Sequence, residues 1–373
     1  MADIKTHLRE ISFAITIGKL KKDENYYDDF FNPESFYTLA KELISNDVSD
    51  SENIYSICEF SNVHKQIIIN GIKLGKTVYY NDYFKIDSNS DIFWYGHDTQ
   101  KEDPVDVKVG DYGFSLKEES FILENMSLAK LLNCFTGSSY AKRHIFSDYA
   151  RAEYEKWFEV TWNCLLSYLN KNNNTWSLCE ESKKRIISKA KDHICLLFEK
   201  DGNNYMSNLP IDCSLSDYEK NTTGKIREGT FAKFIKNELA HNSQYNKAKR
   251  DCAVKATSNL AKELNNNINY ESGLPRFLRI HDDEYYYAKT TAHKIEIYKV
   301  PSIENFTEEL SIESIESSVP ETQANILTTI KNKKTGNTLI LRNECRFSHG
   351  QFNGTPEAKL YYNGSLEVIY KRI

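Results

Sequence analysis

The segment Pro104-Val-Asp-Val-Lys-Val-Gly-Asp-Tyr-Gly-Phe-Ser-Leu-Lys-Glu-Glu-Ser120 constrains the fold of this chain more tightly than any other. Two runs of alternating apolar and polar residues flank Gly110-Asp111, a pattern that predicts a β-hairpin turning at the glycine. With the turn there, Val109 stands opposite Tyr112, and Asp106 opposite Ser115. Strand alternation then puts Ser115, Lys117 and Glu119 on one face. An acid, Asp106, and a lysine, Lys117, converge at one end of that face.

A chain of 373 residues is long enough to bury a large core, as one elaborated domain or two. A hydrophobic share of 40% with 27% charged residues places it among globular proteins rather than disordered ones. Its 24 tyrosines and 19 phenylalanines suit half-buried surfaces but name no function. The net charge of −5 excludes a globally basic nucleic-acid protein and leaves room for a locally positive groove. No apolar stretch of about 18 residues is present, so no membrane span is expected, and the first ten residues lack the apolar core of a signal peptide. The eight cysteines are dispersed with no CxxC pair, which points to free thiols in a reducing cytoplasm rather than to zinc or disulfides.

Residues 1–48 combine the apolar run Ile11–Ile17, an acidic aromatic loop at 23–31 and a helix expected over Phe36–Ser45. Ile54, Ile57, Val63, Ile67, Ile68 and Ile72 fall at helical spacing, with Gly75 placed to end that helix. Thr77–Tyr80 and Asp91–Tyr95 have the composition of strands. Helices are expected at Leu128–Cys134, Phe146–Leu169, Ser182–Phe198, Phe231–His241 and Gln244–Asn265. Past Gly273-Leu-Pro275 the texture turns to strands: Arg276–Ile280, Glu284–Lys289, Lys294–Val300, Thr338–Arg342 and Leu366–Tyr370. The acidic, serine-rich region Glu304–Glu321 suggests a surface loop with a short helix. The expected fold is therefore α+β, a mixed β-sheet core flanked by helices over residues 1–271 and a β-rich C-terminal region over 272–373.

Hydrolysis of a phosphodiester requires a divalent cation to stabilise charge and lower the pKa of the attacking water, with a further positive group near the developing charge. Carboxylates and carbonyl oxygens suit Mg²⁺, and the hairpin supplies an acid beside a lysine. Pro104-Val-Asp106 followed by Phe114-Ser-Leu-Lys117 resembles the PD-(D/E)xK motif of type II restriction endonucleases. The family pattern has a second acid two residues before the lysine, where this chain has Ser115. The resemblance covers some 15 residues and implies a Mg²⁺-dependent, site-specific endonuclease cutting double-stranded DNA as a homodimer. It implies that Asp106 and the Leu116 carbonyl hold the metal, and that Lys117 activates water or stabilises the transition state. A displaced glutamate would replace the missing acid. The candidates are Glu118, Glu119, Glu124 and Glu59, with Glu119 favoured by strand alternation.

A second segment, Arg342–Lys359, packs Arg342, Arg346, His349, Gln351 and Asn353 among glycines, a composition suited to a loop that reads bases and contacts phosphates. Tyr140–His144 and Lys233, Lys236, Lys247, Lys249 and Arg250 are further phosphate-contact candidates. There is no HExxH or HxH pair, no GxxxxGK[ST] loop, no GxSxG elbow and no GxGxxG turn, so zinc hydrolysis, nucleotide hydrolysis, serine hydrolysis and dinucleotide chemistry lack their usual support. Two readings stay open beside the restriction enzyme: a non-catalytic DNA- or protein-binding module with a structural hairpin, and a less specific repair or defence nuclease.

Overall fold

The computed structural model describes residues 4–49, 54, 56–96, 104–118, 120–136, 145–178, 199–201, 204–207, 211–221, 237–267, 270–291, 294–306, 309–319, 324–346 and 356–373. In chain order the helices are α1 (Ile4–Lys21), α2 (Pro33–Leu43), α3 (Asn62–Tyr79), α4 (Leu128–Thr136), α5 (Ile145–Tyr149), α6 (Arg151–Lys171), α7 (Leu215–Asn221), α8 (Ser243–Asn267) and α9 (Tyr270–Phe277). The first strands are β1 (Ile92–Trp94), β2 (Val107–Val109), β3 (Tyr112–Glu118), β4 (Ile122–Glu124), β5 (Thr175–Leu178), β6 (Glu199–Asp201) and β7 (Asn204–Ser207). There follow β8 (Tyr285–Thr290), β9 (Ile295–Val300), β10 (Leu310–Ser318), β11 (Ala324–Asn332), β12 (Thr338–Arg346), β13 (Glu357–Asn363) and β14 (Lys371–Arg372). The fold is α+β, with strands dominating its C-terminal part.

Two compact units divide the chain. One comprises Met1–Phe121, Leu278–Glu308 and Ser365–Ile373; the other comprises Ile122–Phe277 and Glu309–Gly364. The boundary expected at 271/272 falls close to one of these crossings, but each unit draws on both sides of it.

In the first unit the apolar run Ile11–Ile17 forms the middle of α1, which is buried almost all round. Its hydroxyls are satisfied within the helix, Ser12 donating to the Arg9 carbonyl at 3.0 Å and Thr16 to the Ser12 carbonyl at 2.6 Å. α3 starts at Ser61, whose side chain accepts from the His64 N–H. Gly75 does not end this helix, and Thr77–Tyr80 is not a strand: α3 runs on to Tyr79. Gly71 and Gly75 instead sit where α3 crosses α1. A Cβ on Gly71 would lie 1.8 Å from Ser12 Oγ and 2.9 Å from the Arg9 carbonyl, and one on Gly75 would lie 2.9 Å from the Thr16 side chain. Both positions exist for close backbone approach rather than for a cap.

The sheet of this unit has the order β1-β2-β3-β8-β9-β14. All neighbours are antiparallel except β3 and β8, which run parallel. A parallel pair needs a long crossover, and here the chain between β3 and β8 includes Ile122–Phe277 of the second unit. Phe114 and Leu116 of β3, with Tyr286 and Ala288 of β8, share one buried core with Leu8, Ile11 and Phe13 of α1. The rings of Phe13, Phe84 and Tyr286 lie 5.2, 5.3 and 5.6 Å from that of Phe114, contacts that contribute about 0.5–1.5 kcal/mol each beyond area burial. The central strand of the hairpin is thus clamped on its apolar face.

In the second unit a five-stranded antiparallel sheet, β10-β11-β12-β13-β4, packs against α8, and a separate small sheet has the order β5-β7-β6. Along the whole chain, two further strand expectations and one loop expectation change. Arg276–Ile280 begins inside α9, whose last turn carries Arg276. Leu366–Tyr370 holds a 3-10 turn at Leu366–Val368, capped by Ser365. Leu310–Ser318, expected as loop and helix, is β10; a register shift between Ile312 and Ser314 breaks its alternation and hides the strand from a period-2 test. The helix expected over Phe146–Leu169 is two, α5 and α6, parted at Ala150. The expected helix Ser182–Phe198 lies outside the described residues, as does most of Phe231–His241. Among the described residues no helix is long and apolar enough to cross a membrane, and Cys58, Cys134, Cys164, Cys213, Cys252 and Cys345 are free thiols.

Candidate active site

The hairpin forms in the expected register, with Val109 opposite Tyr112 and Val107 opposite Phe114. The next step of the ladder brings Asp106 to Ser115: the Asp106 N–H donates to the Phe114 carbonyl at 2.8 Å. There β2 ends, and the Asp106 side chain takes over the ladder. Its Oδ2 accepts from the Leu116 N–H at 2.7 Å and, at 3.5 Å, from Ser115 Oγ. Lys117 Nζ lies 3.5 Å from the same oxygen. Among the described residues these contacts leave Oδ1 as the open side of the carboxylate. The Asp106 and Lys117 side chains are 20% and 23% exposed, so the pair is reachable but shielded. In an extended strand the N–H and C=O of one residue point to the same edge, so the Leu116 carbonyl opens on the Asp106 side as well.

The sequence-based candidates for a second carboxylate disperse. Glu119 lies outside the described residues. Glu118 accepts from Asn70 Nδ2 of α3 at 2.6 Å, and Gln66 in turn donates to Asn70 Oδ1 at 3.1 Å. Glu118 therefore ties β3 to α3, on the face opposite Lys117. Glu124 belongs to the second unit, where Lys130 pairs with it, and Glu59 lies 3.6 Å from Lys65 on an open surface.

Glu10 of α1, absent from the sequence-based candidates, is the buried acid whose charge is coupled to Asp106 and Lys117. It is 1% exposed. Trp94 Nε1 donates to its Oε2 at 2.9 Å, and Arg9 Nη2 lies 3.6 Å from its Oε1. The chain leaving β1 passes so near that a Cβ on Gly96 would fall 1.8 Å from Glu10 Oε2. Burial, and after it the charge of Asp106, push the Glu10 carboxyl up to about 8; Arg9, the Trp94 hydrogen bond and Lys117 pull the other way. Glu10 is thus in electrostatic contact with both hairpin residues. No local pattern marks it: Glu10 stands just before the apolar run Ile11–Ile17, and only its burial in the folded chain, where a carboxylate is rarely found, singles it out.

Among the described residues no group of three or more His, Cys, Asp or Glu side chains is placed to hold a metal ion. Mg²⁺ nevertheless needs only one or two carboxylates, because it keeps several waters. The charge of Asp106 raises the Glu10 pKa, a repulsion that a divalent cation held by both acids would relieve. The residues present fit such an ion.

Arg342 and Arg346 are not on a loop but on β12 of the second unit, both tied into a network on one face of the sheet. The Arg342 guanidinium lies 4.4 Å from the Tyr361 ring centroid, 3.5 Å from Asn325 Oδ1 and 3.7 Å from Glu344. Arg346 lies 3.1 Å from Glu344 and 3.6 Å from Glu357. His349, Gln351, Asn353, Tyr140–His144, Lys233 and Lys236 lie outside the described residues. No family model, no curated protein and no solved structure matches this chain.

Proposed function

We propose that the chain is a Mg²⁺-dependent endonuclease that hydrolyses phosphodiester bonds in double-stranded DNA, of the type II restriction class that the hairpin motif resembles. The observation that carries this reading is the placement of Lys117 Nζ 3.5 Å from Asp106 Oδ2 at the open end of the hairpin, on a strand paired in parallel with β8. Asp106, the Leu116 carbonyl and Glu10 are the groups that would hold the cation. When bound, Mg²⁺ supplies Lewis-acid charge at the scissile phosphate and lowers the pKa of a coordinated water. Lys117 sets a fixed positive charge beside the phosphate oxygens, where negative charge grows in the transition state. Ser115 and the Leu116 N–H hold Asp106 in one orientation, so its free oxygen needs no reorganisation. Glu119 is retained as a candidate further acid, and Arg342, Arg346, His349, Gln351 and Asn353 as DNA contacts. Cutting both strands of a symmetric site calls for two such centres, hence a homodimer, acting in the cytoplasm.

One observation favours a second reading. The Asp106 carboxylate completes the β3 ladder through the Leu116 N–H, a purely structural task that a DNA- or protein-binding module would equally use. Incubation with plasmid DNA in Mg²⁺ and then in EDTA separates the readings. Discrete metal-dependent fragments support the site-specific endonuclease, and a smear a less specific nuclease. Retarded but uncut DNA would overturn the catalytic assignment.

A further inference from the structure

The parallel register of β3 and β8 pairs Lys117 with a second lysine, Lys289. Register partners in neighbouring strands project from the same face, about 5 Å apart. Lys289 is therefore beside Lys117 and not behind it. It is 4% exposed, although it stands one strand away from a half-open acid–lysine pair. Its ammonium lies 4.0 Å from the Phe121 ring centroid, and that ring is 59% exposed. An exposed aromatic thus roofs a buried cation, three residues beyond the end of β3. On the far side Lys289 faces Glu296 across β9, and Glu296 also bonds Lys294 at 2.9 Å and Tyr298 at 3.2 Å. Burial pulls the Lys289 pKa down, and the Glu296 charge only partly offsets it. The charged form is kept at a cost that an incoming anion would lower.

We propose, resting on the nuclease reading above, that Lys289 is a second phosphate-contacting cation of the same centre, exchanging the face of Phe121 for a phosphate oxygen of the DNA backbone when substrate enters. Two ammonium groups side by side on one face match the oxygens of one phosphate, or of two successive ones, better than either alone. The contact with Phe121 is one that turning an exposed ring gives up, which opens that side of the ammonium to an incoming anion.

The test is binding of the full-length protein to a pool of random-sequence DNA duplexes, in Ca²⁺ in place of Mg²⁺, over a series of salt concentrations. Each phosphate contact contributes about 0.9 to the slope of log affinity against log salt. Lys289→Met should bind about tenfold more weakly, with a slope smaller by about one, while Lys289→Arg restores the slope. An unchanged affinity and slope for Lys289→Met would overturn the proposal and leave the nuclease reading standing. If wild-type protein neither binds nor cuts DNA, both fall together. Should thermal melting show Lys289→Met unfolded, Phe121→Glu takes its place: its carboxylate, set on the roof, should occupy the ammonium and lower the slope equally, and a wild-type slope would again count against the assignment.

Discussion

Glu10 holds its proton to about pH 8 in the folded chain, against an ordinary value of 4.5. The folded state therefore binds that proton more tightly than the unfolded state, so the associated stability is full below about pH 4.5 and is lost as pH rises through 8. A glutamine at this position is neutral throughout and can still accept from Trp94 Nε1. In metal-free protein Glu10→Gln should be more stable than wild type at pH 8–9 by roughly 2–4 kcal/mol, and the two should converge near pH 4. Thermal melts across that range check this; parallel curves would show that Glu10 is not the strained acid described above. Asp106 and Lys117 were legible in the sequence because both sit on one hairpin, whose turn at Gly110 fixes which residues meet. Glu10 was not legible, because what brings it to Asp106 is the packing of a helix almost a hundred residues upstream, and no local pattern encodes that.

At the scale of elements, the hairpin is held from behind by α1 and α3, and those helices touch through glycines. Gly71→Ala would drive a Cβ to 2.9 Å from the Arg9 carbonyl, a backbone atom that cannot turn aside as Ser12 Oγ can. A loss of about 1–3 kcal/mol is expected, measurable by urea denaturation; a neutral or stabilising effect would mean the two helices are less closely apposed. The same glycines explain a misreading. Gly75 near the end of an apolar periodicity has the look of a C-cap, and only the partner helix shows that it is an interior contact. β9 and β12, with their alternating residues, and the tyrosine-rich β8 were legible, whereas the bulge in β10 broke the period on which recognition depends. The segments Arg276–Ile280 and Leu366–Tyr370 were too short for periodicity to separate strand from turn. Their apolar side chains are buried without belonging to a ladder, as with Leu278 and Ile280 beside the left-handed Arg279.

At the scale of the molecule, the first unit closes only when three separate stretches of chain meet, because β8, β9 and β14 complete the sheet begun by β1–β3. A fragment ending at residue 271 would leave the parallel edge of β3 unpaired and Phe114 without Tyr286. Such a fragment should fail to give a cooperative thermal transition; a sharp melt like that of the whole chain would contradict this architecture. The sequence suggested a boundary near this point because texture changes there, but composition cannot show that the later strands return to the earlier sheet. That return matters for function, since it places β8 beside the strand that carries Lys117. The most direct test of the central claim is the single-turnover rate of plasmid cleavage in Mg²⁺ by wild type, Asp106→Asn and Lys117→Met, with folding of each confirmed by circular dichroism. The assignment predicts metal-dependent cleavage by wild type and a loss of at least about 10²–10³-fold in each variant; folded variants that cut at the wild-type rate would contradict it.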